Sequence, residues 1–573
     1  MSSSVDKDPG APDGGLRGLA WLLPYLRRHA GSILGVMALA AIVSGLSAAQ
    51  PYLSKLVIDE GLIGRHFRLL AELCAAIVAL AACGFALGAV NRLLYVRLSG
   101  KILFAIREDV YAHILTLPPR FFRVRPVGDI VTRLDGDVAE IQRFSTDSML
   151  AVVNGVLLLI FSAAIMVAMS PGLTLVAACI LPLHLLLRHR ARQQVAESTR
   201  EVRESRGEIT HFLVETLGAA KAVQSAGAEH WERERLTTLN QGLLRRLVRQ
   251  QLVGYTIGAL SGLLSHLTTA IVFIYGGWQV IHGSLTLGTL VAFTAYLARG
   301  TGSATSLLGL YTAYQRAGVS LKRVQDLRDA EPMRARSGQG RALQARSGPI
   351  RLQQLTFRHP EGERALFEDL TLQIAAGSKV VLFGESGVGK STLVDLLRGF
   401  AEPQAGRILL DALDLTDYDI RSVRRRIPVL ETDPMLFRGS ILQNLRYGNF
   451  DAPEQRVREV ARQTGVESFV LALPEGYATE LGMRGAGLST GQRQRIAVAR
   501  ALLGAPFALV LDEATSNLDA AAVHAMHELI DRHFEQQTRL VITHTPQAVP
   551  RADRMLELRD GRIIEREPAR AYA

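Results

Sequence analysis

The glycine-rich segment at residues 384–392 has the residue types that bind nucleotide phosphates. It follows the apolar run 379–383 and precedes the helical run 393–398, which is the strand–loop–helix context that a phosphate-binding loop requires. Glycines let backbone N–H groups approach phosphate oxygens, and the helix N-terminus adds the positive end of a dipole. Lys390 is expected to neutralise β/γ-phosphate charge, and the Ser391 hydroxyl can ligate Mg²⁺. The predicted nucleotide-binding residues of this loop are Gly384, Glu385, Ser386, Gly387, Val388, Gly389, Lys390, Ser391 and Thr392.

Two further apolar runs end in residues that could complete a site for nucleotide hydrolysis. Residues 507–511 lead into the two carboxylates Asp512 and Glu513. Asp512 is expected to hold Mg²⁺ through water, and Glu513 to orient and polarise the attacking water. Residues 539–543 lead to His544, which could reach the γ-phosphate. A site formed by this loop, the two carboxylates and the histidine is expected to bind ATP together with Mg²⁺. The predicted catalytic residues are Glu513, His544 and Lys390.

The first 310 residues contain six apolar runs, in a chain that is 48% apolar with a mean hydropathy of +0.16. A helix needs roughly 20 mostly apolar residues to cross a hydrocarbon core about 30 Å thick. The fourth run is short, and the arginines that follow it could snorkel to the membrane surface. This pattern predicts a six-helix membrane domain rather than a soluble helical core. The six runs are residues 33–57, 69–94, 149–169, 173–187, 252–281 and 285–310.

The basic residues are concentrated on one side of these predicted spans. Residues 97–143 carry eight Lys and Arg and residues 188–249 carry twelve, whereas residues 170–172 and 282–284 carry none. The positive-inside rule therefore places both termini and the two long connections in the cytoplasm. This asymmetry explains much of the net charge of +11, so we expect no nucleic-acid partner. We expect a multi-pass protein of a bacterial inner membrane.

The chain divides into four predicted segments. Residues 1–20 are polar and lack a signal-peptide pattern, which indicates a disordered cytosolic leader. Residues 21–330 form the predicted transmembrane domain, whose helices extend into the cytosol. Residues 331–349 are rich in Arg, Gly, Ser and Gln, which is typical of a linker. Residues 350–573 alternate short apolar strands with helices, as in an α/β nucleotide-binding domain.

A third motif lies between the phosphate-binding loop and the paired carboxylates. Residues 488–492 read Leu-Ser-Thr-Gly-Gln and begin a helical pattern. They resemble the signature motif of ABC transporters, and residues 512–519 together with His544 strengthen the likeness. Residues 121–137 look like the first coupling-helix region of exporter-type half-transporters. The resemblance covers nearly the whole chain. It implies a six-helix transmembrane domain of the exporter type, followed by an α/β P-loop ATPase domain with an inserted helical subdomain.

The resemblance also implies a dimer. In this family each ATP lies between the P-loop of one subunit and the signature motif of the other. This chain has one of each, and a second helix N-terminus favours phosphate from across an interface. A homodimer is the simplest arrangement, and a heterodimer with a related half-transporter is the alternative. The further nucleotide-binding residues that the resemblance implies are Ser489, Thr490, Gly491, Gln492 and Asp519.

Four positions depart from the family pattern. His359 replaces the aromatic residue that stacks on adenine; imidazole can stack with less area, so His359 is kept as a nucleotide-binding candidate. Thr432 stands where the family has a glutamine that reaches Mg²⁺, and its shorter side chain leaves its place at the metal site in question. Thr490 replaces a glycine, which restricts backbone approach. Met483 replaces a glutamate in a segment that contacts coupling helices. We expect an active hydrolase with altered coupling.

These features together predict an ATP-driven transporter subunit that works by alternating access in a lipid bilayer. The expected cargo is an amphipathic small molecule, a peptide or a lipid, and the expected direction is export. Two alternatives remain: an importer of the same architecture for a siderophore-like or vitamin-like substrate, and an ATPase-gated channel or regulator. Ionisable or amide side chains inside spans are candidates for substrate contact. They are Lys55, Asp59, Asn91, Arg92, His266 and Arg299.

Overall fold

The structure, a computed structural model, describes residues 20–333, 340–359, 364–516 and 518–567. They form two compact units. The helical unit comprises the chain up to Ile114 together with Val127–Asp329. The α/β unit comprises Leu115–Pro126 together with the chain from Ala330 onward. The predicted leader lies almost wholly outside the described residues, as does part of the predicted linker.

The helical unit consists of long helices joined by short turns. The first two spans are connected by a π-helical turn at Val57–Ile63, and further π-helical turns lie at Arg133–Asp137 and Phe144–Ser148. The helices, in chain order and with α4 belonging to the α/β unit, are α1 Leu23–Arg28, α2 Ala30–Leu56, α3 Phe67–Ile114, α4 Pro119–Val124, α5 Val127–Thr132, α6 Val138–Arg143, α7 Met149–Met169, α8 Pro171–Gly218, α9 Ala220–Ser225, α10 Glu229–Ile281 and α11 Leu287–Arg328.

The six predicted spans coincide with α2, α3, α7, α8, α10 and α11, except that the first ends one residue after α2 and the sixth begins two residues before α11. Four helical stretches of the described chain are long and apolar enough to cross a membrane: Ala30–Ile63, Phe67–Ile114, Val127–Met169 and Glu229–Ile281. The apolar part of α8 is shorter, at Pro171–Ile180. Helix α11 contains many Gly, Ser and Thr residues, which lower its apolar content. An N-terminal helical membrane region is thus confirmed.

Helices α2 and α11 are hydrogen-bonded to each other beside Pro51 of α2. Pro51 has no N–H to donate to the carbonyl of Ser47, four residues earlier in α2. Arg299 of α11 donates to that carbonyl, and its other terminal nitrogen lies 2.9 Å from Oε1 of Gln50. One turn away, the hydroxyl of the fully buried Tyr296 donates to the carbonyl of Ala48 at 2.6 Å. The charge of Arg299 therefore serves contacts between α2 and α11.

Asp59 has a similar structural role in the π-helical turn that follows α2. Its carboxylate accepts from the backbone N–H of Gly288 at 2.8 Å and from the hydroxyl of Thr286 at 2.6 Å. Both groups belong to the N-terminus of α11, where a negative charge is favourable. Lys55 lies over the ring of Tyr52, with its ammonium 5.7 Å from the ring centroid. These contacts explain why charges persist in otherwise apolar helices.

The α/β unit contains two sheets and an added helical layer. The strands are β1 Ile350–Phe357, β2 Phe367–Ile374, β3 Lys379–Phe383, β4 Ala405–Leu410, β5 Leu413–Asp414, β6 Val429–Glu431, β7 Gly439–Ser440, β8 Glu480–Leu481, β9 Ala508–Asp512, β10 Thr538–Ile542, β11 Arg554–Arg559 and β12 Arg562–Arg566. The helices are α12 Lys390–Leu397, α13 Ile420–Arg426, α14 Ile441–Leu445, α15 Glu454–Gln463, α16 Val466–Val470, α17 Thr490–Leu503 and α18 Ala520–His533.

The six-stranded sheet carries the candidate site at one edge. Its order is β12-β11-β3-β10-β9-β6, and the neighbouring pairs from β11 to β6 run parallel. Parallel strands end at a common edge, where ligands of open α/β sheets bind. The pairing aligns Leu382 with Ile542, Ile542 with Asp512, and Asp512 with Glu431. The residues that follow these strands are thereby brought together.

The inserted helical layer lies between β6 and β9 in sequence. Helices α14 to α17 pack around a core that includes the fully buried Ile441, Val470 and Ile496. This arrangement confirms the predicted α/β domain with a helical insertion. Strands β9 and β10 are each displaced by one residue from the predicted runs, β9 toward the C-terminus and β10 toward the N-terminus. Helix α12 begins at Lys390, three residues before the predicted helical run. Gly389, with φ 108°, is the residue that precedes its first turn.

Candidate nucleotide-hydrolysis site

The phosphate-binding loop connects β3 to α12 and depends on its glycines. Gly384 has φ 156°, and a Cβ at this position would lie 2.4 Å from the carbonyl oxygen of Leu558. A Cβ on Gly389, which has φ 108°, would lie 2.9 Å from the side chain of Leu366. Only glycine fits these two positions without displacement of a neighbour. The loop that the sequence predicted is therefore tightly specified by its surroundings.

Lys390 is buried at the start of α12. Its ammonium donates to the carbonyl oxygens of Gly384 and Glu385, both at 2.8 Å. Burial lowers the pKa of this ammonium, and the carboxylates of Glu513 and Asp512 act in the opposite direction. The lysine charge is thus held inside the loop, at the position from which it can meet a phosphate.

Ser391 and Asp512 bring two oxygen ligands together. The Ser391 hydroxyl donates to Oδ2 of Asp512 at 3.2 Å, across 121 residues of sequence. Burial raises the pKa of the Asp512 carboxyl, which the hydrogen bond from Ser391 counteracts. Hydroxyl and carboxylate oxygens are the ligands that Mg²⁺ prefers. The pair therefore fits the predicted metal site.

Glu513 and His544 form a close pair at the ends of β9 and β10. Nε2 of His544 lies 2.5 Å from Oε1 of Glu513, and both side chains are partly exposed. The Glu513 backbone lies in the left-handed region, with φ 51°. Its N–H donates to the carbonyl of Ile542 at 3.0 Å. The structure thus places the proposed base and the proposed γ-phosphate contact side by side.

The signature segment begins α17 with a capping box. Ser489 accepts from the N–H of Gln492 at 3.3 Å, and Oε1 of Gln492 accepts from the N–H of Ser489 at 2.8 Å. Both side chains therefore stabilise the helix N-terminus. Arg493 donates to the hydroxyl of Thr490 at 3.2 Å and forms an ion pair with Asp433 at 3.1 Å. The threonine that replaces glycine is accommodated by this arginine.

The remaining predicted nucleotide contacts lie around these elements. Nε2 of His359 lies 3.5 Å from the hydroxyl of Thr392, which brings its exposed imidazole to the phosphate-binding loop. The His359 ring meets Phe357 edge to face at 5.0 Å. Asp519 accepts from the N–H of Ala522 at 2.7 Å and caps α18. Their roles toward nucleotide stay predictions.

Two side chains beside Glu513 make hydrogen bonds that the motif analysis did not identify. Gln494, which is 4% exposed, donates to the carbonyl of Ala514 at 2.5 Å and to that of Thr432 at 3.4 Å. Thr432 itself donates to the carbonyl of Glu513 at 2.9 Å. A polar residue on the buried side of a helical pattern was the available signal for Gln494. No local pattern identifies the partner of Thr432, whose role as a metal ligand stays a prediction.

The short segment Leu115–Pro126 packs within the α/β unit. The N–H of Met333 donates to the carbonyl of Thr116 at 3.0 Å. The charge of Arg123 acts on Asp395 of α12 and opposes the rise in the pKa of that carboxyl, which burial causes. Met483, at the position where the sequence departs from the family glutamate, is 80% exposed. Residues 121–126, the part of the coupling-like region that belongs to the α/β unit, thus lie close enough for Arg123 to act on α12.

Comparisons with known proteins agree with both units. The family model for the ABC transporter transmembrane region matches residues 33–303, and the ABC transporter model matches residues 367–516. The chain is 31% identical over 560 residues to the cyclolysin secretion/processing ATP-binding protein CyaB of Bordetella pertussis, covering 95% of this chain and 76% of the relative. It is 30% identical over 468 residues to the putative multidrug export ATP-binding/permease protein YgaD of Bacillus subtilis, covering 82% and 80%.

A solved structure has the same fold. A bacterial Atm1-family ABC exporter with ATP bound superposes with a TM-score of 0.78 and 24% identity, over 94% of this chain and 95% of that one. The family matches and the relatives imply nucleotide binding, ATP hydrolysis and a membrane-integral location. This chain therefore belongs to the ABC transporter family, as an ATP-driven exporter that carries its transmembrane region and its ATPase domain in one polypeptide.

Proposed function

We propose that two copies of this chain form a homodimeric exporter in the bacterial inner membrane, with all termini in the cytoplasm. Each chain supplies one phosphate-binding loop and one signature helix, so two copies complete two ATP sites. The basic connections of the sequence support the orientation. We assign residues 21–330 to the transmembrane domain, 331–349 to the linker and 350–573 to the ATPase domain.

The contact between Glu513 and His544 carries the proposed hydrolytic mechanism. Glu513 accepts a proton from the attacking water as general base, and its carboxylate is oriented by the imidazole of His544. Lys390 offsets phosphate charge from within the loop, and the N-terminus of α12 adds a positive dipole end. The signature helix of the second copy contributes Ser489 and Gly491 from across the dimer interface.

Ser391 and Asp512 would hold Mg²⁺, since their oxygens already lie within hydrogen-bond distance of each other. When bound there, Mg²⁺ neutralises phosphate charge. Thr432 follows β6 at the same edge of the sheet, but its hydroxyl donates to the Glu513 carbonyl, so we assign the Mg²⁺ contact to Ser391 and Asp512 alone. His359 would lie against the adenine, and Asp519 close to the interface. The Mg²⁺ assignment rests on the side chains that follow β3 and end β9, whereas His359 follows β1 and Asp519 caps α18.

The cargo that fits best is an amphipathic small molecule, a peptide or a lipid. One relative is named for putative multidrug export and another for cyclolysin secretion and processing. Within the described helical unit, Asp59 and Arg299 are engaged by α11 and α2. These two side chains thus serve contacts between helices, and the exposed apolar side chains of the helical unit suit an amphipathic molecule.

The hydrolytic assignment is tested with Glu513→Gln in the full chain reconstituted in nanodiscs. We expect steady-state ATP hydrolysis to fall at least about 100-fold, because a general base contributes 10²–10⁴-fold, while ATP binding persists. Glu528→Gln is the matched control, since Glu528 is an exposed carboxylate on α18. Turnover near the parent rate in Glu513→Gln would remove Glu513 from this role.

Stoichiometry is tested in the same nanodiscs, and direction is tested in vesicles and cells that contain the full chain. A panel of amphipathic dyes, peptides and lipids is screened for stimulation of ATPase, and the strongest stimulator is then radiolabelled. ATP-dependent accumulation in inside-out vesicles supports export, whereas uptake by intact cells supports import. A substrate-independent conductance supports a gated channel. A particle mass corresponding to one copy per nanodisc contradicts the dimer.

A further inference from the structure

Thr432 lies directly beside the backbone of Glu513. It follows β6, whose parallel pairing with β9 aligns Glu431 with Asp512. The next residue of each strand is therefore adjacent, and the Thr432 hydroxyl donates to the Glu513 carbonyl at 2.9 Å. The donated proton is thus directed at the main chain of the proposed base rather than into the phosphate-binding loop.

The Glu513 main chain has an unusual conformation that needs such support. Its φ of 51° lies in the left-handed region, which L-residues rarely adopt and which stores strain. Two donors of Ser516 also reach the Glu513 carbonyl, its N–H at 3.1 Å and its hydroxyl at 2.7 Å. Thr432 is the donor that comes from the neighbouring strand. The bond from the Glu513 N–H to the Ile542 carbonyl and the bonds to its own carbonyl hold both peptide groups that flank its Cα. They thereby fix the direction of the carboxylate, which His544 meets at 2.5 Å.

The signature helix holds the same two segments together. Gln494 donates to the carbonyl of Ala514, directly after Glu513, at 2.5 Å and to the Thr432 carbonyl at 3.4 Å. Its side chain is buried, so this bridge is shielded from solvent. Thr432 therefore occupies a fixed position between α17 and the end of β9.

We propose that Thr432 is a positioning residue for Glu513. Its hydroxyl holds the left-handed backbone conformation of Glu513 in which the carboxylate lies beside His544. This inference rests on the proposed role of Glu513 as general base. It gives Thr432 a function that does not require the length of a glutamine. It also assigns the threonine to the catalytic step rather than to nucleotide affinity.

The test compares Thr432→Val, which removes the hydroxyl at nearly constant volume, with Thr432→Ser, which retains it. In full-length protein in nanodiscs, we expect Thr432→Val to lower kcat by about three- to tenfold, the effect of one lost hydrogen bond. The KM for ATP should change less than about twofold, because ground-state binding is untouched. Thr432→Ser should recover most of the lost kcat. Equal kcat values for the valine variant and the parent would overturn the inference.

A double-mutant cycle separates this role from a direct contact with nucleotide or metal. Thr432→Val is combined with Glu513→Gln, and the slow residual hydrolysis is followed in single-turnover reactions. If Thr432 acts through the Glu513 carboxylate, the valine substitution has no further effect in that background. An equal fold-loss in both backgrounds contradicts the inference, as does a higher Mg²⁺ concentration for half-maximal activity in the valine variant.

The two proposals fail in different ways. Parental turnover in Glu513→Gln alone refutes the proposed function and with it the basis of the inference. Loss of turnover in Glu513→Gln together with an unaffected kcat in Thr432→Val refutes only the role of Thr432. Thermal melting of each variant is the control that shows whether its α/β unit is folded.

Discussion

Acidification should destabilise the α/β unit through His527, a residue of α18 with no exposed surface. Neither of its ring nitrogens has a hydrogen-bond partner within the described part of the chain. Burial lowers the pKa of this imidazole to about 4, and the nearby charge of Lys379 adds to the effect while Asp531 opposes it. His527 is therefore neutral in the folded protein at pH 7 and becomes protonated more readily when the unit unfolds.

The sign and size of the effect follow from proton linkage. The unfolded chain binds a proton at the ordinary histidine pKa of about 6.5, so stability is complete above that pH and is lost progressively as pH falls toward 4. Between pH 7 and pH 5 the loss is about 2 kcal/mol, since one pKa unit of difference corresponds to about 1.4 kcal/mol. For a unit of this size, about 2 kcal/mol lowers Tm by about 4–8 °C.

The assay is calorimetry of the full chain in nanodiscs at pH 7 and pH 5. The transition of the α/β unit is identified by its shift when ATP is added. Other carboxyls also titrate in this range, so the informative quantity is the difference between the parent and His527→Leu, whose drop in Tm should be smaller by about 4–8 °C. His524→Leu, at an exposed histidine of the same helix, is the control. A drop in His527→Leu equal to that of the parent refutes the reasoning.

Two further substitutions test buried contacts of the α/β unit. Asp531→Ala removes the carboxylate that binds Lys379 at 2.8 Å and Arg539 at 3.0 Å; because two buried cations then lose their partner, we expect a loss of about 3–5 kcal/mol, measured as a lower calorimetric Tm. Gly384→Ala places a Cβ 2.4 Å from the carbonyl oxygen of Leu558 at a backbone φ of 156°; we expect the Kd for a fluorescent ATP analogue to rise about tenfold or more, and an unchanged Kd would contradict the described loop geometry.

The phosphate-binding loop was predictable because its information is local. A run of apolar residues at Lys379–Phe383, followed by glycines and Lys390, specifies strand, loop and helix within fewer than twenty consecutive residues. The capping box at Ser489 is equally local, since its two partners are three residues apart. Four helical stretches that are long and apolar enough to cross a membrane could be found by composition alone, because the lipid core demands such helices irrespective of tertiary contacts.

The charges within the spans were harder to interpret. Arg299 was a candidate for substrate contact, yet it donates to the carbonyl that Pro51 leaves without its usual partner, 252 residues away in sequence. The proline and the arginine are both visible in the sequence. Their proximity depends on how α2 and α11 pack, which neither residue encodes by itself.

The amino-acid sequence determined the chemistry available to this protein: a lysine in a phosphate-binding loop, a hydroxyl, two carboxylates after a strand, and a lipid-crossing N-terminal half. The tertiary structure decided which groups meet. Thr432 and Glu513 are 81 residues apart, and only the parallel register of β6 against β9 places the hydroxyl on that carbonyl. Strand register follows from the burial of whole sheet faces, so contacts at strand ends emerge only when the complete core is assembled.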